Sequence, residues 1–243
     1  AGTVDTGAID PLNELADLAQ QEHLWLHVDG AFGALAVLSE TLRPALRGIE
    51  RADSLAFDFH KWLHTPYDAG CVLVRDGGAH RATFSTEGPY ITRMERGLAA
   101  GDPWFTDFGP DLSRSFRALK VWFTIKQFGV KRLAASIERN CAQARYLQSL
   151  IETDPRFELM APVSLNIVCF RYIAPNLTPA ELDRFNDDLV IALQESGIAV
   201  ASSTTINGRR AIRVCIVNHR TEDRDLDILL QTLAELAGQL LQR

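Results

Sequence analysis

Apolar positions change their spacing several times along the chain, and each change marks an element. Leu12, Leu15, Leu18 and Ala19 recur at helical spacing behind Asp10-Pro11, a capping residue followed by a proline suited to the first helical position, which predicts a helix over 11–22. Three short and nearly continuous apolar runs follow, LWLHVDG (24–30), SLAFDF (54–59) and GCVLVRD (70–76). Runs of this kind, separated by helical or loop segments, predict strands of a sheet covered on both faces and hence an α/β architecture. Between 77 and 111 no period is visible. Glycines, prolines and charges mix there with Tyr90, Trp104, Phe105 and Phe108, too many aromatics for plain disorder, so the segment reads as a functional lid.

From Ser113 the pattern is helical again and closes on Gly129 as a C-cap, with a second helix near 130–152. The remainder alternates: strand SLNIVCFRYI (164–173), helix TPAELDRFNDDLVIALQESG (178–197), strand AVASSTTI (199–206), strand RRAIRVCIV (209–217) and a final helix near 221–241. Asn207-Gly208 between two strands is a strong hairpin signal. These elements make a small α+β domain over 120–243, of ordinary domain size. No internal repeat or low-complexity stretch interrupts the chain.

Composition narrows the function classes. With 243 residues, 47% hydrophobic and 23% charged, the chain reads as a soluble globular protein with one large domain or two small ones. A net charge of −6 gives no global basic field, so nucleic acid and anionic membrane surfaces are not expected partners, while a small anionic or zwitterionic substrate stays open. Cys71, Cys141, Cys169 and Cys215 are scattered, with no C-x-x-C pair, which argues against a zinc site or disulfide framework and for reduced thiols. No run approaches the roughly 20 apolar residues of a membrane span, and the start lacks the basic and apolar regions of a signal peptide; a cytoplasmic protein is expected. The chain opens without methionine, directly in a turn-rich loop, and reads like the middle of something longer.

In open α/β sheets, ligands gather at the carboxyl ends of the strands. The first strand ends in His27-Val28-Asp29, with His27 and Asp29 on one face, and the second in Asp58-Phe59-His60-Lys61. Asp29 and Lys61 are therefore expected to face one pocket. Alone, each has a bland reading: Lys61 as a strand-end surface lysine, Asp29 as a cap or loop ligand. Together, a carboxylate and an amine that desolvation can turn into a nucleophile match what pyridoxal phosphate requires, a lysine for its aldehyde and an acid at its ring nitrogen. His60 and His64 are four apart like a metal pair, but no third ligand is visible and no metal is expected. His27 reads as a satisfied core histidine, and Arg114 and Arg117 as structural ion-pair residues.

HVDGAFGA, DSLAFDFHKWLHTPYDAGCVLVRD and LSRSFRALKVWF resemble three successive motifs of the group II pyridoxal-phosphate-dependent decarboxylases, the family of aromatic-L-amino-acid, glutamate and histidine decarboxylases. The match runs from Gly2 to the C-terminal helix. It implies the C-terminal part of a fold-type I (aspartate aminotransferase-like) enzyme: the end of the large cofactor-binding domain over 1–119, with a mobile loop at about 77–111, followed by the small domain over 120–243. It further implies that Lys61 forms the Schiff base, that Asp29 pairs with the pyridine nitrogen, that Ala31 lies against the ring, and that His60 and Asp58 approach the phosphate. Family members often carry asparagine in place of Asp58; an aspartate beside a phosphate is repulsive unless it is turned away or hydrogen-bonded elsewhere.

The implied reaction is decarboxylation of an L-amino acid, aromatic ones first, in a homodimer with its active site at the subunit interface. Family members are about twice as long. The missing N-terminal half would carry the ring-stacking histidine and the phosphate cradle, and its absence would leave an unpaired sheet edge and an uncovered apolar face. Spacing also puts Trp104 near the loop position where these decarboxylases carry a proton-donating tyrosine, with Tyr90 as an ordinary loop aromatic. Two alternatives follow: an aldehyde synthase that couples decarboxylation to oxidative deamination, or a non-catalytic fragment or subunit needing a second chain.

Overall fold

The computed structural model describes residues 1–85, 88–89, 93–98, 100–101 and 103–242. Two sheets organise them. In the first, β1 (His27–Asp29) and β2 (Ser54–Asp58) run parallel, His27 opposite Ser54 and Asp29 opposite Ala56, while β3 (Gly70–Val74) lies antiparallel on the other side of β2. Helix α1 (Leu12–Gln21) precedes β1, and the crossover to β2 is built from three 3-10 turns, Ala34–Leu38, Arg43–Leu46 and Ile49–Arg51. Gly48 lets the last turn rest on α1: its φ is 103°, and a Cβ there would sit 2.4 Å from the Asn13 backbone nitrogen. A single helical turn, α2 (Phe59–Trp62), caps the carboxyl end of β2. Leu12, Val28, Leu35, Leu46, Trp62, Leu63, Leu133, Ile137 and Leu165 form the core beneath this sheet.

The second sheet has β4 (Phe157–Leu159), β5 (Ile167–Tyr172), β6 (Ser202–Ile206) and β7 (Arg209–Cys215) in the order β4-β5-β7-β6, all antiparallel. Its packed face carries Val168, Phe170 and Ile212 against α5 (Val130–Thr153), α6 (Pro179–Glu195) and α7 (Asp223–Leu240), which contribute Leu147, Ile151, Leu189, Leu193, Leu230 and Leu233. Asn207 and Gly208 both take positive φ, 49° and 76°, as the two-residue hairpin between β6 and β7 requires. A capping box closes the start of α6, where the Thr178 N–H donates to Glu181 Oε2 at 2.8 Å. Helix α5 belongs to both halves: Leu133, Ile137 and Cys141 enter the first core, and Ala144, Leu147 and Ile151 the second.

Several elements differ from the sequence pattern. The run at 24–30 shortens to β1, because Leu24 and Trp25 stay exposed and the chain turns at His23, whose φ is 52°. The helix expected from Ser113 starts at Arg117, giving α4 (Arg117–Phe128), which does end at Gly129 with φ 74°. Within 77–111 the structure forms α3 (Gly77–Phe84), whose first turn is held by Asp76 Oδ1 accepting from the Gly78 and Ala79 N–H groups. Two glycines at its start hid this helix from propensity. Strand β4 was too short to show a period.

A 3-10 turn at Phe105–Phe108 ends the same segment, where buried Asp107 takes the guanidinium groups of Arg81, at 3.4 Å, and Arg93. The Arg93 guanidinium also stacks over Trp104, and Tyr90 lies outside the described residues. Apolar surface remains open on β3, where Val72 and Leu73 are 50% and 55% exposed, and on α4 at Leu119, Trp122 and Phe123. Neighbouring positions of a strand point to opposite faces, so among the described residues the cover expected on both faces of β3 is incomplete.

Candidate active site

The carboxyl ends of β1 and β2 open onto a cavity of about 920 Å³, and Asp29, Ala31, His60 and Lys61 all line it. The turn after β1 is built for close approach. Gly30 donates its N–H to Ala56 O at 2.8 Å, and a Cβ on it would stand 2.5 Å from that of Ala34. Beyond it the Ala31 N–H donates to Asp29 Oδ1 at 2.9 Å, so one carboxylate oxygen is held by its own turn. His27 also lines the cavity; it is exposed on the edge strand rather than placed in the core, with Nδ1 2.7 Å from Ser54 Oγ.

Lys61 projects from α2 and its Nζ lies 2.8 Å from Asp58 Oδ2, one helical turn back. The lysine side chain is 41% exposed and that of Asp58 22%. His60 points its Nδ1 at the Ala69 backbone, accepting that N–H at 3.0 Å and leaving Nε2 as the donor nitrogen. The ring of Tyr67 stands edge-on to His60 at 4.7 Å. Beneath them Trp62 is 1% exposed, stacked on Phe32 with centroids 5.1 Å apart.

All five residues singled out in the sequence therefore sit at one end of the first sheet: Asp29, Ala31, His60 and Lys61 in the cavity wall, and Asp58 ion-paired to the Lys61 amine. Arg114 and Arg117 lie apart from it: Arg117 Nε donates to Asp68 Oδ2 at 2.9 Å and Arg114 to the Phe105 carbonyl at 2.7 Å. Sequence reasoning missed the far wall. Arg213, Cys215 and Val217, from β7 and the residues after it, line the same cavity, and Arg213 Nε donates to the Val4 carbonyl at 2.8 Å. Nothing local marks them, since an alternating strand does not announce which cavity its polar face meets. Burial pushes the Cys215 thiol up, so it stays protonated at neutral pH. Among the described residues, no group of three or more His, Cys, Asp or Glu gathers in a metal-binding arrangement.

Residues 1–173 match the pyridoxal-dependent decarboxylase conserved domain. An aromatic-L-amino-acid decarboxylase of Bacillus atrophaeus is 39% identical over 241 residues, covering 99% of this chain and 50% of the relative. A phenylacetaldehyde synthase of Petunia hybrida is 30% identical over 99% of this chain and 49% of its own length. The crystal structure of Catharanthus roseus tryptophan decarboxylase in complex with L-tryptophan superposes with a TM-score of 0.85 at 28% identity, covering 98% of this chain and 50% of that one. The chain thus spans about half the length of the curated relatives it matches, and its fold is that of the C-terminal portion of a fold-type I enzyme. With its lysine and aspartate on one cavity and its whole length aligned, this chain belongs to the pyridoxal-dependent decarboxylase family.

Proposed function

We propose that the chain is the C-terminal half of a pyridoxal-phosphate-dependent carboxy-lyase that removes the α-carboxylate of an L-amino acid, aromatic side chains first. One observation carries the reading: the sequence holds four lysines, and Lys61 alone among them lines the cavity that Asp29 also lines. The donor set fits the cofactor, with a primary amine, a carboxylate anchored by its own turn, a small side chain at Ala31 and an imidazole N–H from His60 around one cavity. Asp58 fits as well, because its charge is matched by the Lys61 amine at 2.8 Å.

Bound there, pyridoxal phosphate supplies an electron-withdrawing ring that takes up the electron pair left when carbon dioxide departs. The chain's own residues set the stage for that event. The Lys61 amine would hold the cofactor through its aldehyde, and Asp58, 2.8 Å from Nζ, would keep that amine oriented. Asp29, with one carboxylate oxygen held by the Ala31 N–H, would hold a proton at the ring nitrogen through the other. Ala31 would leave room for the ring in the cavity wall, and His60 Nε2 would be the donor available to the phosphate. Orienting the substrate bond to be broken would be a positioning task for the cavity walls.

The open apolar faces of β3 and α4 support the reading that an N-terminal half, on this polypeptide or another, packs against this one, and that the complete protein is a homodimer. Four free cysteines support a cytoplasmic location. A second reading, decarboxylation with oxidative deamination to an aldehyde, is favoured by Trp104 near the loop position of the proton donor and by the Petunia relative. Incubating the full-length protein with aromatic L-amino acids separates them. Amine and carbon dioxide in equal amounts support the lyase; aldehyde, ammonia and hydrogen peroxide support the synthase; no carbon dioxide from any amino acid overturns both.

A further inference from the structure

The turn that carries Lys61 is gripped from the second half of the chain. Next to Lys61, the buried Trp62 donates its indole N–H to Asn140 Oδ1 at 3.1 Å. Asn140 sits on α5 with no exposed surface, and its Nδ2 donates to Gln143 Oε1 at 3.3 Å and to the Asn218 carbonyl at 3.4 Å. Gln143, also buried, donates to the Thr221 carbonyl at 2.5 Å. On the other side of Leu63, the ring of His64 meets that of His219 at 5.2 Å. The loop between β7 and α7 is thus tied, through α5, to residues 62 and 64.

The setting makes a polar residue at 140 notable. Its neighbours on the same helix, Ile137, Cys141 and Ala144, are wholly buried and apolar, and a leucine would pack among them without desolvation cost. A buried amide is tolerated only when its groups are paired, and what pairing adds over apolar contact is direction. We propose that Asn140 is a positioning residue for Lys61: through the Trp62 indole it fixes the orientation of the α2 turn, and ties that orientation to the β7–α7 loop. This rests on Lys61 being the amine that takes the cofactor.

The test uses the full-length protein and follows the rate at which a borohydride-trapped pyridoxal phosphate adduct forms on Lys61, located by peptide mapping, beside unfolding in denaturant. Asn140→Leu is expected to slow adduct formation at least about tenfold, as displacement of a reacting group by a fraction of an ångström does. Trp62→Phe, which keeps the ring and removes only the N–H, is expected to slow it similarly, and the double variant no more than either single one. Asn140→Asp keeps an acceptor for the indole and is expected to react within about threefold of the parent while unfolding more easily than Asn140→Leu, because it buries an acid. A structural role alone would make reactivity follow stability instead. An Asn140→Leu rate equal to that of the parent, or single effects that multiply in the double variant, overturns the proposal. Absence of any Lys61 adduct in the parent protein overturns the functional reading itself.

Discussion

Replacing Lys61 with alanine separates chemistry from folding. The side chain is 41% exposed and its partner Asp58 22%, so water already screens their 2.8 Å pair. Pairs of that kind contribute less than about 1 kcal/mol. Alanine leaves Asp58 partly solvated, with His60 Nε2 still 4.0 Å away, so no carboxylate becomes stranded in an apolar environment. For a chain of this size about 1 kcal/mol corresponds to roughly 2–4 °C in Tm.

Covalent capture of the cofactor should vanish completely. Lys120 stands 3.9 Å from Asp68, Lys126 lies over the Trp122 ring, and Lys131 lies outside the cavity wall, so no other lysine of this chain lines the cavity. Calorimetry and borohydride trapping on the full-length Lys61→Ala protein measure the two effects side by side. An adduct persisting at another lysine, or a Tm loss above about 8 °C, would refute the assignment and mark Lys61 as structural.

Asp29→Asn keeps an oxygen for the Ala31 N–H, so stability should stay within about 0.5 kcal/mol, while turnover falls at least about a hundredfold because a neutral amide cannot hold the ring proton; steady-state kinetics and denaturant curves check both. Burial, and after it the neighbouring His219, hold the His64 imidazole below its ordinary 6.5, so the unfolded chain takes the proton first as pH drops. Stability from this residue is therefore level above about pH 6.5 and falls below it, and His64→Asn should flatten that part of the curve in urea titrations at pH 5 to 7. Phe170→Ala empties the centre of the second core, where the side chain is wholly buried, and should cost about 3–5 kcal/mol in urea unfolding.

The amino-acid sequence by itself determined the order and type of α1, α4, α5, α6 and α7, the Asn207-Gly208 hairpin and the presence of Lys61, His60 and Asp29 at strand ends, because each is written in a local period, a cap or a turn residue. The ion pair of Asp58 with Lys61 was not legible, because the helical turn Phe59–Trp62 that brings the two together follows an apolar run that reads as strand. Tertiary structure alone decided that β1 would be three residues long, that Arg213 and Cys215 would close the cavity, and that Asn140 would reach Trp62 from 78 residues away. Local pattern encodes which side of an element is buried. It does not encode what that side meets, since the partner is chosen by the packing of distant segments, and a single polar side chain on an apolar helix face carries no mark of the group it will bond.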